Sequence, residues 1–82
     1  MTHSELIKRR VAGAIKQYMA DNNIAQDVLA ERLGVHQTAV SAYRQGRMIP
    51  RADTLLRMAA LFELDLNEMV QPETHEATLE SA

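Results

Sequence analysis

Residues 26–45 constrain the fold most, because two short runs with helical periodicity meet there at a single glycine. In the first run, Leu29 and Leu33 repeat at a helical spacing. The second run begins after Gly34, and its apolar positions are Val35, Val40 and Tyr43. Glycine adopts the left-handed backbone conformation that commonly ends a helix without a steric penalty. The stretch therefore predicts a helix, a tight turn at Gly34 and a second helix.

The polar residues of the second run are mostly uncharged and capable of hydrogen bonding. They are His36, Gln37, Thr38, Ser41, Arg44 and Gln45. A short helix that carries amide and hydroxyl groups on one face is suited to recognising base edges in the DNA major groove. The alternative is an ordinary solvent-exposed polar face, and the pattern alone leaves both interpretations open.

This stretch resembles the helix-turn-helix of the lambda-repressor-like family, which includes phage repressor and Cro proteins and their bacterial relatives. The resemblance extends from about Leu6 to Val70. It is carried by Ile24-Ala25-Gln26 before the motif and by Gly46-Arg47, Pro50 and Thr54-Leu55 after it. The resemblance implies an all-α fold, namely a compact five-helix DNA-binding domain with a central helix-turn-helix.

The same resemblance implies a role in DNA binding for ten residues. Those expected to face bases are Gln37, Thr38, Ser41 and Ala42, and the amide of Gln37 could pair bidentately with adenine. Those expected to contact phosphate are Gln26, His36, Tyr43, Arg44, Arg47 and Arg51. For Gln26 the alternative is a polar residue that substitutes for a missing helix cap. For Tyr43 we expect a buried ring whose hydroxyl reaches water or phosphate.

The remaining periodicity predicts one domain over residues 1–70 and a flexible acidic tail over residues 71–82. Thr2 and Glu5 have the spacing of a capping box, so a first helix should begin there and end near residues 21–23. Gly13 inside that helix suggests a close helix contact. A fourth helix is expected over residues 52–62, and Asp65 begins a short fifth helix. Three leucines, Leu61, Leu64 and Leu66, are expected to close the core.

Charge is distributed unevenly along the 82 residues, although the net charge is −2. Residues 1–57 contain all nine Lys and Arg residues but five of the eleven Asp and Glu residues. Residues 58–82 contain the other six acidic residues and no Lys or Arg. A basic body with an acidic end can present one positive face to DNA, although the charges could also simply solvate the surface.

The sequence favours no enzyme, metal site or cofactor. Cysteine is absent, and His3, His36 and His75 are too scattered to form a ligand set. The sequence shows no phosphate-binding glycine loop and no pattern that indicates a catalytic nucleophile paired with a base. It also shows no apolar run of membrane-spanning length and no signal peptide. We therefore expect a cytoplasmic protein without a small-molecule ligand.

The leading hypothesis is a sequence-specific transcriptional regulator, more specifically a repressor that binds a two-fold operator as a homodimer. Double-stranded DNA would be its main partner. The first alternative is a protein-interaction module of the same fold, such as an antitoxin, antirepressor or coactivator. Its contact surface would comprise the acidic C-terminal third and an exposed Val28. A second alternative is a DNA-binding fragment of a longer regulator.

Overall fold

The computed structural model describes residues 2–70, and every regular element in that part of the chain is an α-helix. The five helices are α1 (His3–Asn22), α2 (Gln26–Leu33), α3 (Gln37–Arg44), α4 (Ala52–Phe62) and α5 (Leu66–Val70). The predicted all-α, five-helix architecture is confirmed. The tail proposed for residues 71–82 lies outside the described residues.

The first helix begins where the capping-box spacing predicts. The hydroxyl of Thr2 accepts a hydrogen bond from the backbone N–H of Glu5 at 3.1 Å. This bond satisfies one of the N–H groups that an α-helix leaves without a partner at its start. At the other end the chain leaves α1 through Asn23, which has the left-handed φ of 50°. Asparagine tolerates this conformation better than most residues, which explains the observed stop.

The turn between α2 and α3 depends on Gly34, which has a φ of 72°. The backbone N–H of Val35 donates to the carbonyl of Ala30 at 3.0 Å and thereby closes the turn. From α4, the Arg57 guanidinium donates to the carbonyl of Leu33 at 3.0 Å. A carbonyl at the C-terminus of α2 is thus satisfied by a side chain from another helix.

The core forms where the apolar faces of all five helices meet. Its fully buried large side chains are Val11, Ile15, Leu29, Leu33, Val40 and Met58. Helix α3 packs against both α1 and α2, and α5 packs against α1 and α4. The outer side of α3 therefore has no covering helix in the described chain and remains available to a ligand.

Two expectations about packing are wrong. Leu64 is 39% exposed and does not close the core. The chain turns at Glu63, which has a left-handed φ of 58°, and this turn leaves Leu64 on the rim of a cleft beside Tyr18 and Phe62. Gly13 is exposed, and a Cβ added there would have no atom within 4 Å. Gly13 therefore does not mediate a close contact between helices.

Candidate nucleic-acid interface

The outer face of α3 carries a row of polar side chains. Gln37 and Thr38 are exposed in the first turn, and Ser41 is half-buried one turn further on. Gln45 extends the row, because its side-chain N–H donates to the hydroxyl of Ser41 at 3.0 Å. Val40 lies on the opposite face and is fully buried. The helix is therefore held by its apolar side while its amide and hydroxyl groups face outward.

The structure does not support Ala42 as a base-contacting residue. Its side chain is only 8% exposed. Because α3 packs against both α1 and α2, the buried arc of this helix is wide and includes position 42. This corrects the sequence-based expectation. Gln45 lies on the outer face instead, and its spacing of four residues from Ser41 was the signal that could have identified it.

Gln26 and Arg44 form a polar link between α2 and α3. The Arg44 guanidinium donates to the side-chain oxygen of Gln26 at 3.2 Å. Gln26 is the first residue of α2, whose N-cap residue Ala25 makes no side-chain capping bond. The amide oxygen of Gln26 is thus occupied by Arg44 rather than by a helix cap. This geometry brings two of the predicted phosphate-contacting residues together at the start of α2.

Three consecutive helices begin without a side-chain cap. The N-cap residues of α2, α3 and α4 are Ala25, His36 and Arg51, and none of these side chains accepts a capping hydrogen bond within the described residues. At the start of α4 the backbone N–H of Thr54 instead donates to the carboxylate of Asp53 at 3.0 Å. The N–H groups of a first helical turn carry partial positive charge and bind anions when nothing else satisfies them. His36 is exposed at the start of α3, so its predicted phosphate contact is sterically possible.

The segment between α3 and α4 presents two exposed arginines. Arg47 follows the left-handed Gly46 and has no ion-pair partner among residues 2–70. Arg51 lies 3.6 Å from Asp53, measured from its Nε to the carboxylate, and both side chains are largely exposed. Exposed pairs of this kind contribute little free energy, so Asp53 would not prevent Arg51 from contacting a phosphate.

Tyr43 has the buried ring that the sequence predicts, with 4% of the residue exposed. It lines a small pocket of about 160 Å³ together with Arg51 and Arg57. The proposed contact between its hydroxyl and phosphate stays a prediction.

Within the described residues, no group of three His, Cys, Asp or Glu side chains has the arrangement of a metal site. No helix of residues 2–70 is both long and apolar enough to cross a bilayer.

Comparisons with known proteins give two findings. A family model described as helix-turn-helix matches residues 15–69. The chain is also similar to the ImmF control region 10 kDa protein of Bacillus phage phi105. The two are 32% identical over 65 residues, which cover 79% of this chain and 72% of the phage protein. No solved structure matches the chain significantly.

Proposed function

The chain belongs to this helix-turn-helix family, and we propose that it is a repressor that binds a two-fold DNA operator as a homodimer. Membership confirms the resemblance to the lambda-repressor-like proteins, and the chain is a DNA-binding transcriptional regulator. The proposed mode of DNA binding rests on one observation: the outward-facing row of polar side chains on α3, a helix whose opposite face is held by the core.

In the proposed complex, α3 enters the major groove. Gln37, Thr38 and Ser41 contact base edges, with Gln37 pairing to adenine through its amide. The backbone contacts come from the start of α2 and from the segment between α3 and α4. They involve Gln26, His36, Tyr43, Arg44, Arg47 and Arg51. These contacts fix the position of the protein on the duplex, whereas the base contacts distinguish sequences.

Two copies of the chain would place their α3 helices in successive major grooves on one side of the duplex. The half-site centres would then be about 34 Å apart, which is one helical turn. Binding over a promoter would repress transcription by excluding the polymerase. We propose that this takes place in the cytoplasm and needs no cofactor. Residues 1–70 would form the DNA-binding domain, and residues 71–82 would form an acidic tail.

A protein-interaction module is the second candidate. It is favoured by Val28, which is 37% exposed on α2 although its side chain is apolar. Titration of random and genomic duplexes at low salt separates the two candidates. Salt-sensitive binding supports the regulator, because neutralised phosphates release counterions. A complete absence of such binding supports the interaction module.

Selection of bound sites from a random DNA pool tests the repressor proposal directly. We expect enrichment of an inverted repeat whose half-sites lie about one helical turn apart. Enrichment of a single half-site would contradict the homodimer, and no enrichment at all would contradict sequence-specific binding. Reporter transcription from a promoter that carries the selected site would then distinguish repression from activation.

A further inference from the structure

A groove of about 530 Å³ lies between residues 5–16 of α1 and the C-terminal end of α3. Four of its lining residues are cations and one is an acid. The residues of this basic groove are Glu5, Lys8, Arg9, Ala12, Lys16, Arg44, Gln45 and Gly46. The sequence leaves open whether the charges of the basic body bind DNA or only solvate the surface, because nothing in it places the cations of α1 beside α3.

The three cations that α1 contributes to the groove have no carboxylate partner in the described part of the chain. Within residues 2–70, no ion pair involves Lys8, Arg9 or Lys16. Arg9 and Lys16 are exposed, and Lys8 is half-buried. Like charges that line one groove repel each other, and an anion in the groove would relieve that repulsion.

The basic groove is continuous with the outer face of α3. Gln45 lines the groove and also bonds to the hydroxyl of Ser41 in the polar row. Arg44 lines the groove and also bonds to Gln26 at the start of α2. A duplex lying on α3 would therefore bring part of its backbone towards α1.

The acidic end of the described chain lies on a different side of α1. His3 contacts the carbonyl of Val70, and Arg10 donates to the carbonyl of Glu68 at 3.0 Å, so both face α5. Lys8 and Lys16 are offset from Arg10 by about 160° and 120° around a helix with 3.6 residues per turn. The acidic residues near α5 therefore do not line the basic groove.

We propose that the basic groove binds the phosphate backbone of DNA next to the bases that α3 contacts. Lys8 and Lys16 are separated by roughly 12 Å along α1, at 1.5 Å per residue. One strand of a duplex presents a phosphate about every 3.4 Å along its axis, so the groove can accept more than one phosphate. This inference rests on the proposed DNA-binding mode and adds Lys8, Arg9 and Lys16 to the contacting residues.

The test compares Arg9→Gln and Lys16→Gln, singly and combined, with Arg32→Gln in the full chain. Arg32 is a matched control, because it is an exposed arginine that bonds to the hydroxyl of Tyr18 and does not line the groove. The probe is a random-sequence duplex titrated over a series of KCl concentrations. We expect the slope of log affinity against log salt to fall by about 0.9 for each phosphate that a variant no longer neutralises. Arg32→Gln should keep the wild-type slope.

Hydroxyl-radical footprinting on a selected duplex locates the contact. We expect all three groove variants to lose backbone protection beside the α3 contacts and to keep protection elsewhere. Wild-type slopes and footprints in all three variants would overturn the groove proposal while leaving the proposed function intact. If the wild-type chain itself bound no duplex, the proposed function would fail instead. Far-UV circular dichroism of each variant shows whether its helices remain folded.

Discussion

At the scale of single residues, the glycines of this chain have different physical roles. Gly34 has a φ of 72°, and a Cβ added there would also collide with the Arg57 guanidinium. Gly46 has the same φ but open space around it. Gly13 lies inside α1 with open space around its missing side chain. A substitution at Gly34 would therefore meet both backbone strain and a steric collision, whereas one at Gly46 would meet backbone strain alone. At Gly13 only helix propensity would change.

Alanine at the two left-handed positions should destabilise the fold to different extents. In both Gly34→Ala and Gly46→Ala, the left-handed conformation of a residue with a Cβ costs roughly 1–2 kcal/mol. Gly34→Ala should lose about 1 kcal/mol more, because Arg57 must leave the carbonyl of Leu33. Urea unfolding followed by circular dichroism measures the difference. Equal losses would show that the Arg57 contact contributes nothing to stability.

Gly13→Ala should stabilise the fold, in contrast to alanine at Gly34 or Gly46. Alanine is favoured over glycine inside a helix by up to about 1 kcal/mol, and no neighbouring atom obstructs the new methyl group. The free energy of unfolding should therefore rise, and the DNA-binding affinity should not change. A lower thermal midpoint for this variant would mean that α1 is packed more tightly at Gly13 than the structure indicates.

At the scale of helices, most elements followed from local sequence. The start of α1 lies where its capping-box spacing predicts, and the start of α2 and both bounds of α4 lie where periodicity predicts them. Local sequence failed where tertiary packing decides the outcome. The burial of Ala42 depends on two helices that flank α3, and the exposure of Leu64 depends on the left-handed turn at Glu63.

The candidate site could be predicted only in part for the same reason. The polar row of α3 follows from its own periodicity, so the exposure of Gln37 and Thr38 was accessible to sequence reasoning. The link between Gln26 and Arg44 spans 18 residues and depends on how α2 crosses α3. The basic groove depends similarly on where α1 packs. Contacts between distant helices carry no local sequence signal.

Two substitutions test the proposal that Gln37 contacts bases and Arg47 contacts phosphate. Gln37→Ala should weaken binding to the selected site by about 1–3 kcal/mol and relax specificity at one base position. Arg47→Ala should weaken binding to cognate and random duplexes alike and lower the salt slope by about 1. Fluorescence anisotropy on both duplexes measures these effects. If the two variants behaved alike on cognate and random DNA, the roles assigned to Gln37 and Arg47 would be wrong.

At the scale of the whole molecule, the negative net charge hides a separation of charge. The cations of α1 and α3 meet at the basic groove, whereas the acidic residues near α5 lie on another side of α1. A phosphate backbone responds to the local field of the face it approaches, which net charge does not describe. The field at the polar row can therefore be positive although the chain is acidic.

The proposed homodimer requires a surface that two copies of the chain bury against each other. Leu56 on α4 is 58% exposed, and a two-fold interface through α4 would bury it twice. In Leu56→Glu, each copy would lose about 1.5 kcal/mol of the free energy gained by burying the leucine. The dimer Kd should therefore rise about a hundredfold. Val28→Glu is the control, because it adds the same charge at an exposed apolar residue of α2. Sedimentation equilibrium measures both constants. A larger effect of Val28→Glu would place the interface on α2, and wild-type association in both variants would exclude both surfaces.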